Sequence, residues 1–408
     1  MEKAYLALIT PCLLPVPAVL GGAVEVLLTN ILEENEKKAK YMIDLYTIDH
    51  ELLAGKSYQY TNIIAIGREK PMVWGDRVID KICREFPFCN NGYRMFDYKI
   101  AALFERRIVK LRKQNFEYDK VIVQNLVSLA IQIRRRMKKQ QLNCPMYFHM
   151  HNDIDIYRSP QGLRRLHREG TQFIVISKYI ESQIVKYVSG GQIHILYNGV
   201  DREVFRSSGK KETGEITFLY SGRLIPDKGV LELLEAFEAL LMGKEREKIK
   251  LVIAGSSDFS RDTLTGYEQR VQNIVERISE SVELTGKVDE KRMVELYDRA
   301  DVVVIPSIWE EPFGMVALEA MAMGKPIIST FSGGLAEVLD DTCAIRVDKR
   351  NQELFVEQLT DAMRALLKDE VRRKMGKASQ ERIKRHPEFW KENFYMNFDR
   401  ILKIAKVE

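Results

Sequence analysis

The strongest constraint on this chain is an alternation, run through twice, of short apolar segments and helix-period stretches. In the first half the apolar segments fall at 4–9, 42–47, 62–66, 119–123, 145–149 and 172–176. In the second half they fall at 216–221, 250–254, 281–284, 301–305, 326–329 and 343–347. Between many of them lie helical stretches, among them 24–32, 229–242, 266–279, 289–299, 314–323 and 353–368. Runs such as NIIAI and DVVVI are apolar almost continuously, where a half-exposed strand would alternate. Strands of that kind are buried on both faces, so they belong to parallel sheets covered by helices on each side. Two such series predict an α/β chain of two doubly wound, Rossmann-like domains. A length of 408 residues suffices for two separate cores.

The boundary is expected near 196–212, where a turn runs into polar, charged, glycine-containing sequence. The expected division is 1–197, 198–387 and a terminal helix at 388–408. That last segment carries Phe389, Trp390, Phe394, Tyr395, Phe398 and Ile401 at helical spacing, after a break at His386 and Pro387. Packing back on the first domain is the expected role of the helix. Completing the second domain's own core is the plainer alternative.

Other classes are excluded by composition. Hydrophobic residues make up 45% and charged residues 30%, unlike a disordered or polytopic membrane chain. Residues 4–24 are uncharged and resemble a secretory leader, but Pro11, Pro15 and Pro17 interrupt them. They read as a buried strand followed by a loop. The five cysteines, Cys12, Cys83, Cys89, Cys144 and Cys343, are scattered and form no C-x-x-C pair. Neither a zinc site nor a disulfide framework is expected, which points to a reducing, cytoplasmic setting. The dinucleotide fingerprint G-x-G-x-x-G is absent after the first strand, which argues against hydride transfer.

In an open parallel sheet, ligands bind beyond the carboxyl ends of the strands. In the second half, the strands are followed by SGRLIPDKG (221–229), GSS (255–257), TGKV (285–288), PSIWEEPFG (306–314) and TFSGGLAE (330–337). Each carries glycine, a charge, or both, and five such loops on one sheet edge describe a cleft. Arg223 and Lys228 suit a diphosphate, one as a planar fork and one as a point charge. Taken singly, either is as well explained as a solvated surface cation. The helix expected from Gly314 offers its positive end to a phosphate. Glu319 lies just over a turn inside that helix among Ala317, Leu318, Ala320 and Met321, where a carboxylate can accept from a ribose diol. Glu311, before the helix, is placed to reach a sugar hydroxyl.

The first half is less specific. Gly21 and Gly22 stand at a strand-to-helix turn, where backbone can approach a phosphate closely. His149 and His151 end a strand with period-two spacing, which puts both on one face. They are either satisfied structural histidines or cleft groups, and no third metal ligand accompanies them. The first 200 residues carry 29 Lys and Arg against 20 Asp and Glu, the remainder 34 against 38. The excess sits in runs at Arg106–Lys113, Arg134–Lys139 and Arg164–Arg165. Solvated helix faces are the commonest explanation of such runs. Without balancing acids they also suit an anionic membrane surface or an anionic acceptor. No nucleic-acid-binding motif accompanies them.

Taken together, these residues resemble the family 4 retaining glycosyltransferases of the GT-B fold. The matching pieces are Gly21-Gly22, His151, Asn198-Gly199-Val200-Asp201, Gly222-Arg223, Lys228-Gly229, Gly255, Gly286, the E-x7-E motif from Glu311 to Glu319, and Gly333-Gly334 with Glu337. They span almost the whole chain in family order, and those of the second half are the more specific. The resemblance implies two Rossmann-like domains facing across a cleft and a nucleoside-diphosphate sugar held mainly by the second. It implies that Arg223 and Lys228 bind the diphosphate and assist its departure, and that Glu319 binds the ribose. Glu311, with backbone around Phe313, Gly314 and Met315, would hold the donor sugar and phosphate. Gly22, Asn198, Gly255 and Val288 would complete the donor contacts, and His151 would meet the sugar near the reacting carbon. The family has one His at that strand end where this chain has two, so His149 competes for that role.

The implied chemistry is transfer of a hexose or N-acetylhexosamine with retention at the anomeric carbon, without a cofactor or divalent metal. A uridine nucleotide is the expected donor, as is common in the family. The expected acceptor is a glycan or lipid-linked glycan, on a cytoplasmic enzyme peripheral to the inner face of a membrane, with no nucleic acid involved. The competing expectation is a non-catalytic GT-B subunit that binds glycan and stabilises a partner transferase.

Overall fold

A computed structural model describes residues 3–11, 13–67, 95–153, 160–188, 192–209, 214–243, 249–256 and 265–404. Cys12, Cys83, Cys89 and Ser257 lie outside the described residues. Contacts divide the chain into two units, residues 1–197 with 394–408 and residues 198–393.

The first unit is a parallel sheet of β1 (Ala4–Ile9), β2 (Tyr41–Ile48), β3 (Thr61–Ile66), β4 (Lys120–Gln124), β5 (Met146–Met150), β6 (Gln172–Val175) and β7 (Ile193–Ile195). Their spatial order is β3-β2-β1-β4-β5-β6-β7. The uncharged N-terminal segment is β1, paired in parallel register with β2 and β4 on its two sides. Its helices are α1 (Ala23–Lys38), α2 (Met95–Arg112), α3 (Val127–Lys139), α4 (Pro160–Arg168) and α5 (Lys178–Ile184). On α1, Leu27, Leu28, Ile31 and Leu32 repeat at helical spacing and are fully buried against the sheet. The left-handed Ala39 then ends the helix.

The second unit has the order β10-β9-β8-β11-β12-β13, again all parallel. Its strands are β8 (Ile216–Ser221), β9 (Ile249–Ala254), β10 (Val282–Gly286), β11 (Val302–Ile305), β12 (Ile327–Ser329) and β13 (Ala344–Arg346). The helices are α6 (Val230–Leu241), α7 (Gly266–Arg277), α8 (Glu290–Arg299), α9 (Met315–Ala322), α10 (Leu335–Val338), α11 (Gln352–Ala365) and α12 (Asp369–Arg385). Local chemistry sets several starts. Thr265 and Glu268 form a reciprocal capping box on α7, while Asp289 and Asn351 accept from third-residue amides on α8 and α11.

The terminal helix α13 (Lys391–Ile404) contributes Phe394, Tyr395, Phe398, Ile401 and Leu402 to the first unit's core, beside Leu28, Ile31 and Leu45. The chain before it stays with the second unit beyond residue 387. There Val200 donates to the Phe389 carbonyl (2.9 Å), and Lys391 donates back to the Val200 carbonyl (3.0 Å).

Two features of the first unit depart from the sequence reading. β7 is a strand where none is expected, short and containing His194. The basic runs do have balancing acids. Glu105 pairs with Arg136 (2.7 Å) and Lys139 (2.8 Å), and Glu169 pairs with Lys138 (3.3 Å) and Arg165 (3.2 Å). Arg134 is half-buried and donates to the Glu169 carbonyl. The acids come from α2 and from the turn after α4, so no window along α3 contains them.

Candidate active site

Strand order reverses in the second unit between β8 and β11, and the loops leaving these two neighbours lie side by side at their carboxyl ends. Such a switch point is the expected binding crevice of an open α/β sheet. The loop after β8 carries Arg223 and Lys228; the loop after β11 carries Trp309 and Glu311. Lys228 Nζ stands 2.5 Å from Glu311 Oε1, with the two side chains only 17% and 10% exposed. Ser307 Oγ donates to the same carboxylate oxygen. The loops are also laced through their backbones, with the amides of Ile308 (2.9 Å) and Trp309 (3.2 Å) donating to the Asp227 carbonyl. Gly229 makes this approach possible. Its φ is +68°, and a Cβ there would sit 2.0 Å from the Pro306 carbonyl oxygen.

The remaining strand ends close round this pair. Gly222 donates to the Ala254 carbonyl (3.0 Å), and Gly255 donates to that of Gly286 (2.9 Å). A Cβ on Gly255 would fall 1.8 Å from the Gly222 carbonyl oxygen, so only glycine fits. From the loop after β12, Thr330 Oγ1 donates to the Ser307 carbonyl and Ser332 Oγ to that of Trp309, each at 2.9 Å. Gly334 donates to the Glu311 carbonyl at 2.7 Å. Arg223, on the same loop as Lys228, is exposed, and its carbonyl accepts from the Tyr220 hydroxyl at 2.8 Å.

Gly314 is the N-cap of α9, whose first turn includes Met315. The Phe313 side chain is buried edge-on against Phe389, ring centroids 6.0 Å apart, so its backbone alone faces the loop. One turn in, Glu319 is half-buried and accepts from the hydroxyl of Tyr297 on α8 at 2.7 Å. Burial pushes its acid up to about 7; the Tyr297 donor opposes that and Glu290 adds to it. Asn198, the first residue of the second unit, is buried with its Oδ1 unpartnered among the described residues. Val288 lies half-buried in the loop after β10.

In the first unit, the residues singled out from the sequence are Gly22 and the His149/His151 pair. Gly22 is the N-cap of α1, and the buried Glu25 carboxylate folds against it. His149 and His151 do share one face, with ring centroids 4.0 Å apart. His149 is wholly enclosed and neither ring nitrogen has a partner among the described residues. His151 Nε2 meets Gln124 Oε1 at 2.8 Å, and its backbone amide donates to Asn125 Oδ1 at 3.0 Å. Burial holds both well below the usual imidazole range, His151 at about 3, so both rings are neutral near pH 7. Among the described residues, no three His, Cys, Asp or Glu side chains are grouped to hold a metal ion.

Two family models cover most of the chain. The one described as "Glycosyl transferases group 1" matches residues 201–382, and "Glycosyltransferase Family 4" matches residues 69–204. The chain belongs to the family 4 glycosyltransferases. Its two parallel α/β sheets with flanking helices make it a GT-B glycosyltransferase in fold. It is 29% identical over 248 residues to the lipopolysaccharide 1,2-N-acetylglucosaminetransferase of Salmonella typhimurium, covering 58% of this chain and 62% of that protein. It is 25% identical to spore coat protein SA of Bacillus subtilis over 92% of this chain and 93% of the relative. Among the first three curated relatives, the match spans 45–62% of their lengths. A crystal structure of Anabaena Alr3699/HepE in complex with UDP and glucose superposes with a TM-score of 0.70 at 16% identity, covering 99% and 100% of the two chains.

In this glycosyltransferase, Arg223, Lys228, Gly255, Glu311, Phe313, Gly314, Met315 and Glu319 all lie along one sheet edge of the second unit. The sequence reading missed their supports. Ser307 and Trp309 lie inside the loop it quoted, but nothing in their spacing marks them as partners of Lys228 or Glu311. Tyr297 and Gln124 sit on a separate helix and strand from the residues they hold, so only the fold joins them.

Proposed function

We propose that this chain is a retaining, metal-independent glycosyltransferase. It would move a hexose or N-acetylhexosamine from a uridine diphosphate sugar to a glycan or lipid-linked glycan of the cell surface. The observation that carries this is the Lys228–Glu311 pair at the β8/β11 switch point, beside Arg223 and the N-terminus of α9. Two cations and a helix N-terminus suit a departing diphosphate, which supports leaving-group stabilisation by the protein itself. Glu311 already accepts from Lys228 and Ser307, which favours a binding role over a nucleophilic one. Retention would then run through front-face departure and attack, with the leaving phosphate taking the acceptor proton. The UDP and glucose in the HepE complex, and the N-acetylglucosamine transfer named for the Salmonella relative, support the donor class.

Among the described residues no helix is long and apolar enough to cross a membrane. A peripheral position on an anionic inner leaflet is supported by Arg106, Lys110 and Lys113, exposed along one face of α2 and the turn after it, beside exposed Val109 and Phe116.

The test is thermal unfolding with UDP, GDP, ADP, dTDP and their sugar conjugates in EDTA. A ligand at 100 times its dissociation constant stabilises by about 2.7 kcal/mol. The expected result is a shift with UDP or a UDP-sugar that Lys228→Ala reduces, followed by an α-linked product from an α-linked donor in an acceptor screen. No shift with any nucleotide in a folded sample would overturn the reading in favour of a non-catalytic glycan-binding subunit.

A further inference from the structure

We propose that Trp309 is a positioning residue for Lys228, whose aromatic face keeps the ammonium at the switch point when Glu311 is engaged by the donor. The inference rests on the donor-site reading given above. Lys228 Nζ lies 5.3 Å from the centroid of the Trp309 ring, within reach of a cation–π attraction, as well as 2.5 Å from Glu311 Oε1. The ammonium therefore sits between one charged neighbour and one neutral one.

The two neighbours differ in what they do when a diphosphate arrives. Glu311 repels an incoming phosphate, and its bond to Lys228 competes with that phosphate for the ammonium. A lysine released on a loop has a four-carbon stem free to turn into water. The ring face has no net charge, so it retains the ammonium without opposing the phosphate.

The backbone makes ring and ammonium one clamp. The Trp309 amide donates to the carbonyl of Asp227, the residue immediately before Lys228. On its other side the Trp309 carbonyl accepts from Ser332 Oγ. The indole is not held by its polar edge, because Nε1 is buried with no hydrogen-bond partner among the described residues. An unpaired buried N–H is unfavourable, and phenylalanine would avoid it. Tryptophan offers the strongest cation-binding face of the aromatic side chains, which offsets that disadvantage.

The test uses the full chain and measures UDP and uridine affinities for wild type, Trp309→Leu, Trp309→Phe, Lys228→Ala and the Trp309→Leu/Lys228→Ala double variant. Thermal unfolding confirms that each is folded. Trp309→Leu is expected to weaken UDP by roughly 3- to 30-fold. Uridine, which has no phosphate for Lys228, should be unaffected, and Trp309→Phe should recover most of the loss. In the Lys228→Ala background the leucine substitution should add nothing, as coupled neighbours are non-additive. Equal losses of UDP and uridine, an undiminished effect without Lys228, or unchanged UDP binding in Trp309→Leu would overturn the proposal. Wild type binding no nucleoside diphosphate would instead sink the donor-site reading on which it stands.

Discussion

Replacing Glu319 by Gln separates what this carboxylate does to stability from what it does for a ligand. Its acid is raised from 4.5 to about 7 by burial. The folded state therefore holds the proton more tightly than the unfolded chain. That contribution to stability is full below pH 4.5 and is lost as pH rises through 7. A shift of that size corresponds to at most about 3 kcal/mol at 1.36 kcal/mol per unit, and the half-open setting of Glu319 reduces it. The amide cannot ionise, and its oxygen still accepts from Tyr297. Chemical denaturation of the ligand-free protein should thus find Glu319→Gln more stable than wild type by about 1–3 kcal/mol at pH 8, and nearly equal to it at pH 4.5. Ribose recognition should move the other way. A carboxylate accepting from a diol has a whole second oxygen beyond the Tyr297 bond, whereas glutamine keeps only one neutral oxygen, with a single acceptor site left beside that bond. UDP should bind the variant about tenfold or more weakly, and its preference for UDP over 2′-deoxy-UDP should shrink. Equal stability differences at both pH values would refute the burial argument. An undiminished preference for the 2′-hydroxyl would refute the ribose assignment.

Three further outcomes follow from the first unit. Asp44 is completely buried on β2 and accepts from Arg107 (2.7 and 3.0 Å), Tyr118 (2.6 Å) and Asn62 (2.6 Å). Asp44→Ala leaves Arg107 without its counter-ion and should cost about 3–5 kcal/mol in urea denaturation; a loss under about 1 kcal/mol would contradict the network's importance. Phe398→Ala on α13 should cost about 3–5 kcal/mol, because the ring is fully buried in the first unit's core; unchanged stability would mean the helix is dispensable to that core. His149 and His151 are held neutral below an ordinary value of 6.5, so the unfolded chain takes up more protons as pH falls. Stability should decline from about pH 6.5 downward, by up to about 1.4 kcal/mol per pH unit for each ring. His149→Leu should flatten that decline between pH 6.5 and 5, and an identical slope in the variant would exclude His149 as a source.

The strands were readable because a buried parallel strand is marked by its own composition. AYLALI and ITFLYS occupy the predicted positions as β1 and β8 without help from neighbours. Glycine and charge at strand ends were readable for the same reason, since each loop carries its own signal. The contacts between loops were not readable. Lys228 and Glu311 stand 83 positions apart and meet only because the strand order reverses between β8 and β11. Glu105 and Glu169 are likewise distant along the chain from the Arg134–Lys139 run whose charge they balance, so local counting left that run unpaired. This bears directly on what charge can be used to argue. A cation's sequence neighbours say where it stands on an element, whereas its counter-ion comes from whichever element the topology lays beside it. Arg106 and Lys110 of α2, which have no ion-pair partner among the described residues, are therefore better candidates for the proposed anionic surface than the longer run on α3. The Lys228 ammonium is already paired with Glu311, so on the donor reading proposed above a diphosphate competes with that carboxylate for its three donors.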